Sequence, residues 1–180
     1  WQQTLQGLTF VDKTGDNDGS LASDLSVRRL KQQFKDIIFN PISGYGSNDI
    51  YLSQLGIKTT KTGVLYFDQA ALDSTYQNNP NYFAALKDPS VSTDLPGATV
   101  TKSQYLKMEP GTYAVSDSTG SWKIGDKNLT RTANGSGSSF SSSDYPGLII
   151  NTIEASPVDF NVFIGKSFIS KFTDFANKFC

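Results

Sequence analysis

The sequence contains no histidine, one cysteine and one methionine among its 180 residues. Without histidine there is no Ser-His-Asp triad, no imidazole-ligated zinc and no imidazole acid–base chemistry near neutral pH. The lone Cys180 makes neither an internal disulfide nor a cysteine metal cluster. Charge is scarce as well. Only 18% of residues are charged, and 16 Lys+Arg against 17 Asp+Glu leave a net charge of −1. That balance gives no electrostatic footprint for nucleic acid or for an anionic membrane. No apolar run approaches the ~18 residues that a spanning helix needs. Glu109 and Glu154 are the only glutamates, and neither has a second carboxylate close by in sequence. The aspartates fall mostly in loops and at helix starts, where turn and cap chemistry accounts for them. No catalytic residue, cofactor or metal is therefore expected, and the chain reads as non-enzymatic.

What remains is a chain of one or two ordinary domains, 37% hydrophobic, with a surface built largely from Ser, Thr, Asn and Gln. Trp1, Leu5 and Leu8 repeat at helical spacing, so the chain opens inside an amphipathic helix. From Lys166 onward, Phe168, Ile169, Phe172, Phe175, Ala176 and Phe179 share one helical face, and the pattern is still running at Cys180. Both ends predict a piece of a longer protein. A natural terminal helix docked on its own domain is the alternative.

Asp12 to Ser23 is a polar stretch that reads as a loop. Asp16, Asp18 and Gly19 fall at the third, fifth and sixth positions of an EF-hand. The first and twelfth would be Thr14 and Leu25, so an Asx-rich turn is expected rather than a calcium site. Asp24 or Ser26 caps the next helix, whose inner face is Val27, Leu30, Phe34, Ile37 and Ile38. Arg28, Arg29, Lys31, Gln32 and Lys35 lie mostly on the other side. They read as a solvated face, with a partner surface as the alternative. Pro41 stops this helix. Gly44 and Gly46 do not form a phosphate loop, because no Lys-Ser/Thr follows them. A short helix is predicted from Asp49 to Leu55, capped by Gly56. Ile57–Thr60 and Val64–Phe67 form a hairpin around Lys61-Thr62-Gly63. Asp68 then caps a helix carrying Ala71, Leu72 and Tyr76, and Pro80 opens another with Phe83 and Leu86.

Three strings, D-L-S-V-R-R-L-K-Q-Q-F, L-S-Q-L-G-I-K-T-T-K-T-G-V-L-Y-F-D-Q-A-A-L and N-N-P-N-Y-F-A-A-L, follow in order. Together they resemble the bacterial flagellar filament-cap family, hook-associated protein 2. The matching positions are Asp24, Val27, Arg28, Leu30, Leu55, Gly56, Ile57, Thr59, Gly63, Leu65, Asp68, Leu72, Pro80 and Leu86. Ser23, Leu25 and Thr62 depart from that family's usual Gly, Ser or Pro, and Asp, all at cap or turn positions. The resemblance covers roughly residues 1–87.

From Val91 the runs become short and alternating, which predicts a small antiparallel β-domain. Its strands are expected at Ala98–Thr101, Gly111–Ser116, Ser121–Ile124, Asn128–Thr130 and Phe160–Ile164, with Leu148–Ile153 as a more buried run. Ala133–Tyr145 is Ser-rich and is expected to be a mobile surface loop. The strings G-T-Y-A-V, W-K-I-G and P-G-L-I-I resemble, more loosely, the β-repeats of flagellar cap and hook-associated proteins. Trp122 and Tyr113 could line a sugar site with the loop Ala133–Tyr145, although strand aromatics are usually core. Asn128-Leu-Thr and Asn134-Gly-Ser match the N-glycosylation acceptor, and turn chemistry explains both.

The fold expected is α+β. Residues 1–88 form a segment of helices and a hairpin, 89–165 an inserted β-rich head domain, and 166–180 the start of a C-terminal leg helix. The resemblance implies a non-enzymatic cap at the distal tip of the bacterial flagellum. Such a cap promotes flagellin insertion and prevents flagellin loss. Its implied partners are flagellin and its own copies in a ring, with no nucleic acid and no membrane insertion. Its implied location is extracellular, reached through the flagellar type III export apparatus. A tip adhesin or carbohydrate-binding module that meets host glycans is the rival reading. A junction protein between hook and filament is the third.

Overall fold

A computed structural model of the chain describes Gly7, residues 19–155 and residues 157–178. It is mixed α and β, as the patterning predicts. Among the described residues it divides into two units, which are taken in turn. The first comprises residues 19–41, 51–80 and 171–178, and the second comprises 42–50 and 81–170.

In the first unit, α1 spans Leu25–Phe39. Asp24 starts it, with Oδ1 accepting from Ser26 N at 2.7 Å and Val27 N at 3.1 Å. These bonds satisfy two of the donors that a helix start leaves open. Asn40 closes the helix by donating to the Asp36 carbonyl at 2.9 Å, and Pro41 blocks continuation. Phe34 packs against Phe172 and Phe175 of the last helix, with ring centroids 6.5 and 6.2 Å apart. That helix, α4, spans Phe168–Asn177 and buries Phe175. It leaves Ile169 and Phe172 exposed, so its aromatic stripe is only partly covered.

The hairpin pairs β1 (Ile57–Thr59) with β2 (Leu65–Phe67) in the register Lys58↔Tyr66. Gly63, at φ +82, makes its tight turn possible. Helix α2 follows over Gln69–Asn78. The helix expected over Asp49–Leu55 does not form. Ile50 is committed instead to a β-bridge with Ile42, both in the second unit, and Leu52–Gly56 of the first unit is a run of turns. The Ile57 N–H reaches back to the Leu52 carbonyl at 2.9 Å across Gly56, whose φ is +86. Leu52 and Leu55 are buried there, so tertiary packing outweighs local helix preference. The helix expected after Pro80 begins as a 3₁₀ turn, Pro80–Phe83, and continues in the second unit as α3 over Ala84–Lys87.

The second unit holds two antiparallel sheets. One has the order β3-β11-β5-β6-β7 and the other β4-β10-β9-β8. The first is built from β3 (Ser90–Thr93), β11 (Phe160–Gly165), β5 (Gly111–Ser118), β6 (Ser121–Ile124) and β7 (Lys127–Asn128). The second is built from β4 (Thr99–Lys102), β10 (Leu148–Thr152), β9 (Gly137–Ser141) and β8 (Thr130–Asn134). Val115, Trp122, Ile124, Phe160, Val162 and Ile164 of the first sheet meet Phe140, Leu148 and Ile150 of the second in one buried cluster. Leu129 links the two sheets. Its side chain is buried and its N–H donates to the Trp122 carbonyl at 2.8 Å.

Three sequence expectations are corrected here. Ala133–Tyr145 is not a mobile loop, because most of it lies in β8 and β9. Ser138 and Phe140 point inward, while Ser139 and Ser141 alternate outward. The run Leu148–Ile153 is not buried throughout. Leu148, Ile150 and Thr152 face the core, whereas Ile149 and Ile153 are exposed. Strand β3 stands outside the strands that the sequence predicts, because it is four residues long with Val91 as its one apolar residue and all four are half-buried.

Candidate functional site

Trp122 and Tyr113, the aromatic pair weighed for a sugar site, take different places. Trp122 lies on β6 opposite Asp117 and belongs to the core cluster. Its ring packs on Phe140 at 5.0 Å between centroids with an interplanar angle of 58°. Trp122 is only 6% exposed, which leaves little of the ring for a sugar to stack on. Tyr113 lies on β5, half-buried, with its hydroxyl donating to the Glu109 carbonyl at 2.8 Å. Its ring meets Tyr145 edge-on at 6.4 Å. Desolvation holds its hydroxyl above the ordinary tyrosine range, and nearby Tyr145 and Glu109 add to this.

The Ser-rich stretch is held by a satisfied polar network. Ser138, fully buried, donates through Oγ to the Ala155 carbonyl at 2.7 Å and accepts from Arg131 Nε at 2.8 Å. Its N–H donates to Thr152 Oγ1 at 3.2 Å, and Thr152 Oγ1 donates to the Glu154 carbonyl at 2.8 Å. Among the described residues, no buried side-chain nitrogen or oxygen lacks a partner. Such a network fixes a small-residue strand that hydrophobicity alone would not order. The sequence signal for it was a period of two, with Ser138 and Phe140 on the inward side.

Beside Trp122 lies a cleft of about 390 Å³, lined by Asp117, Gly120, Ser121, Trp122, Asn128, Leu129 and Arg131. It brings Trp122 together with one sequon asparagine, Asn128. It does not include Tyr113, Glu109, Glu154 or Asn134. Its lining is one carboxylate, one guanidinium and neutral hydrogen-bonding groups. Such a set can hold a polar molecule. Among the described residues, no group of three or more His, Cys, Asp or Glu could hold a metal ion. Asp16, Asp18 and Cys180 lie outside the described residues.

The first unit carries its notable electrostatics at Asp68. Its Oδ2 pairs with Lys58 Nζ of β1 at 2.7 Å, while Oδ1 accepts from Ala71 N at 3.0 Å and caps α2. Hydrogen bonding to Lys58 holds the Asp68 carboxyl below its ordinary value, and the same bond holds Lys58 above its own. One carboxylate thus ties hairpin to helix. The cationic residues of α1 occupy its outer side. Arg28, Arg29, Gln32 and Lys35 are exposed, and Lys31 is half-buried. No described helix is long and apolar enough to cross a membrane.

Comparison with known proteins bears on what these surfaces do. Residues 5–174 match the family model described as "Flagellar hook-associated protein 2 C-terminus". The chain is also 35% identical over 79 residues to the polar flagellar hook-associated protein 2 of Vibrio parahaemolyticus serotype O3:K6 (strain RIMD 2210633). That alignment covers 44% of this chain and 12% of the Vibrio protein, so the chain spans a small part of that relative. No solved structure matches significantly.

Proposed function

The chain belongs to the flagellar hook-associated protein 2 family, within its C-terminal region, and on that footing we propose that it is a structural part of the filament cap at the distal tip of the bacterial flagellum. The observation that carries this reading is the family match across residues 5–174. In this reading the parent protein forms a ring over the growing end. It promotes insertion of flagellin and keeps flagellin from escaping. The protein acts outside the cell after export through the flagellar type III apparatus, without catalysis or a cofactor. Residues 89–165 are read as the β-rich head domain inserted before the C-terminal leg, which begins at about residue 166.

The surface chemistry supports this reading. A cap must shift as each subunit arrives, so its contacts have to be breakable. A polar, weakly charged exterior suits transient contact better than an obligate apolar interface.

Contact with host glycans is the second reading. It rests on the polar cleft of Asp117, Ser121, Asn128 and Arg131 rather than on a stacked aromatic. A glycan array with wild type and Arg131→Ala separates the two. Saturable binding that the substitution removes supports the glycan reading.

The cap reading is tested by deleting the gene for the parent protein. Hooks without filaments, with unpolymerised flagellin in the medium, are the expected outcome. Normal filaments would sink it.

A further inference from the structure

The outward side of α1 has a composition that the helix itself does not need. Leu25 is 67% exposed at one end and Phe39 is 54% exposed at the other. Residues 25, 32 and 39 are spaced by seven, so Leu25, Gln32 and Phe39 lie along one stripe, with Arg28, Arg29 and Lys35 beside Gln32. At 1.5 Å per residue the stripe is about 21 Å long. The packing side of the helix is the opposite one, with Ile38 buried and Val27, Leu30, Phe34 and Ile37 half-buried.

Arg28 Nε donates to the Ala22 carbonyl at 2.8 Å and so serves the helix start, whereas Arg29 and Lys35 add little to the helix. Arg28 and Arg29 sit in its N-terminal half, where the macrodipole disfavours positive charge. Beyond the N-cap Asp24, the first turn carries no acidic residue to offset them. Asp36 is the one acid on α1, and its carboxylate already accepts from Gln32 Nε2 at 2.8 Å. Arg29 and Lys35 form no ion pair with the described residues. Apolar anchors at both ends with arginines between them make a helix-face recognition pattern.

The chain carries its own complement. The described residues of the first unit hold eight Lys+Arg and five Asp+Glu, a net of +3. Those of the second hold seven and nine, a net of −2. In the second unit Val158 is 72% exposed beside Asp159, whose Oδ1 accepts the Asp117 N–H at 3.2 Å. An exposed apolar side chain next to the exposed Asp159, with exposed Asp117 bonded to Asp159 through its N–H, matches the chemistry of the α1 stripe in both respects.

We propose that the outward stripe of α1 is a docking surface for a second copy of this chain, which presents the acidic edge at Val158, Asp159 and Asp117. The contact is heterologous, one patch on a different patch, and such contacts close rings when the rotation permits. The proposal rests on the cap reading only in taking another copy as the occupant. Its electrostatic part strengthens at low salt and weakens as salt rises.

The test is sedimentation velocity on the full-length parent protein at two salt concentrations, with circular dichroism to confirm folding of each variant. Arg29→Glu with Lys35→Glu should weaken self-association at least tenfold at low salt and flatten its salt dependence. Adding Asp117→Lys and Asp159→Lys to those substitutions should restore it by swapping the charges. Leu25→Ser with Phe39→Ser should weaken association without changing the salt dependence. Unchanged association in the charge-reversed protein, or no rescue by the swap, would overturn the surface while leaving the ring intact. Loss of flagellin binding with self-association unchanged would assign the stripe to flagellin and also overturn it. A wild-type parent that stays monomeric at all concentrations would overturn both the ring and this contact.

Discussion

Phe140 stands 5.0 Å from Trp122, ring centroid to ring centroid, and joins the two sheets of the second unit at their core. Phe140 is fully buried on a strand otherwise made of Gly and Ser. Phe140→Ala should therefore remove the main apolar anchor of β9 and leave a cavity against Trp122, costing about 3–5 kcal/mol. Urea unfolding followed by tryptophan fluorescence checks this. A loss below about 1 kcal/mol would mean that β9 is not held as described.

Gly137 and Gly135 lie two residues apart in the same hairpin and should respond differently to alanine. A Cβ on Gly137 would stand 1.9 Å from the Thr152 carbonyl oxygen, which no rotamer relieves. Gly137→Ala must push β9 away from β10 and should cost about 1–3 kcal/mol or more, the range for overpacking. A Cβ on Gly135 meets nothing within 4 Å, so Gly135→Ala carries only the strain of φ +61, about 1–2 kcal/mol. Chemical denaturation of both variants should rank Gly137→Ala as the less stable.

The Lys58–Asp68 pair predicts a pH signature. Asp68→Asn keeps a capping oxygen for Ala71 but removes the ion pair, whereas Asp68→Ala removes both. Asp68 is held below its ordinary 3.8. Its contribution is therefore present above that pH and is lost as pH falls through the lowered value. Lys58 is held above its ordinary 10.5, so its share is present below that pH and is lost as pH rises past it. Thermal melts should show wild type above Asp68→Asn at pH 7, with the gap closing below pH 3.8. Asp68→Ala should lie lowest at pH 7. A gap independent of pH would contradict the pair.

Tyr45 should be among the last tyrosines to ionise. Burial, with Asp88 nearby, pushes its hydroxyl up to about 12, and that hydroxyl donates to the Asp88 carbonyl. Its ring lies against Gly165, where an added Cβ would stand 2.7 Å from the ring edge. The unfolded chain ionises tyrosine at its ordinary 10.0, so Tyr45 favours the folded state below that pH and ceases to as pH rises to about 12. Spectrophotometric titration of wild type against Tyr45→Phe should yield a difference centred near pH 12. A difference centred near 10 would place the hydroxyl in water.

Much of the first unit was legible in its sequence because local chemistry and tertiary structure agree there. Asp24 and Asp68 each precede an apolar period and each caps a helix, and Lys61-Thr62-Gly63 lies between two short runs that pair. The errors fell where distant partners decide. Ile50 has a helical neighbourhood in sequence, but Ile42 claims it for a bridge. Ser138 looks like loop material until Thr152, Ala155 and Arg131 surround its polar atoms. Strand β3 lies at the edge of its sheet, paired only with β11, and its single apolar residue, Val91, is too little pattern to mark it. Trp122 was visible as a candidate, but its partner Phe140 lay in the stretch expected to be loose. The α1 stripe was partly visible as a cationic face. Its apolar ends, Leu25 and Phe39, became meaningful only with their exposure.

Capping of the growing filament by the parent protein is tested most directly at the filament tip. The direct measurement adds purified full-length protein, labelled with gold, to cells lacking its gene and then images the flagella. Filaments should regrow, with label only at their distal tips. Failure to regrow filaments, or label at the hook junction or along the shaft, would contradict capping.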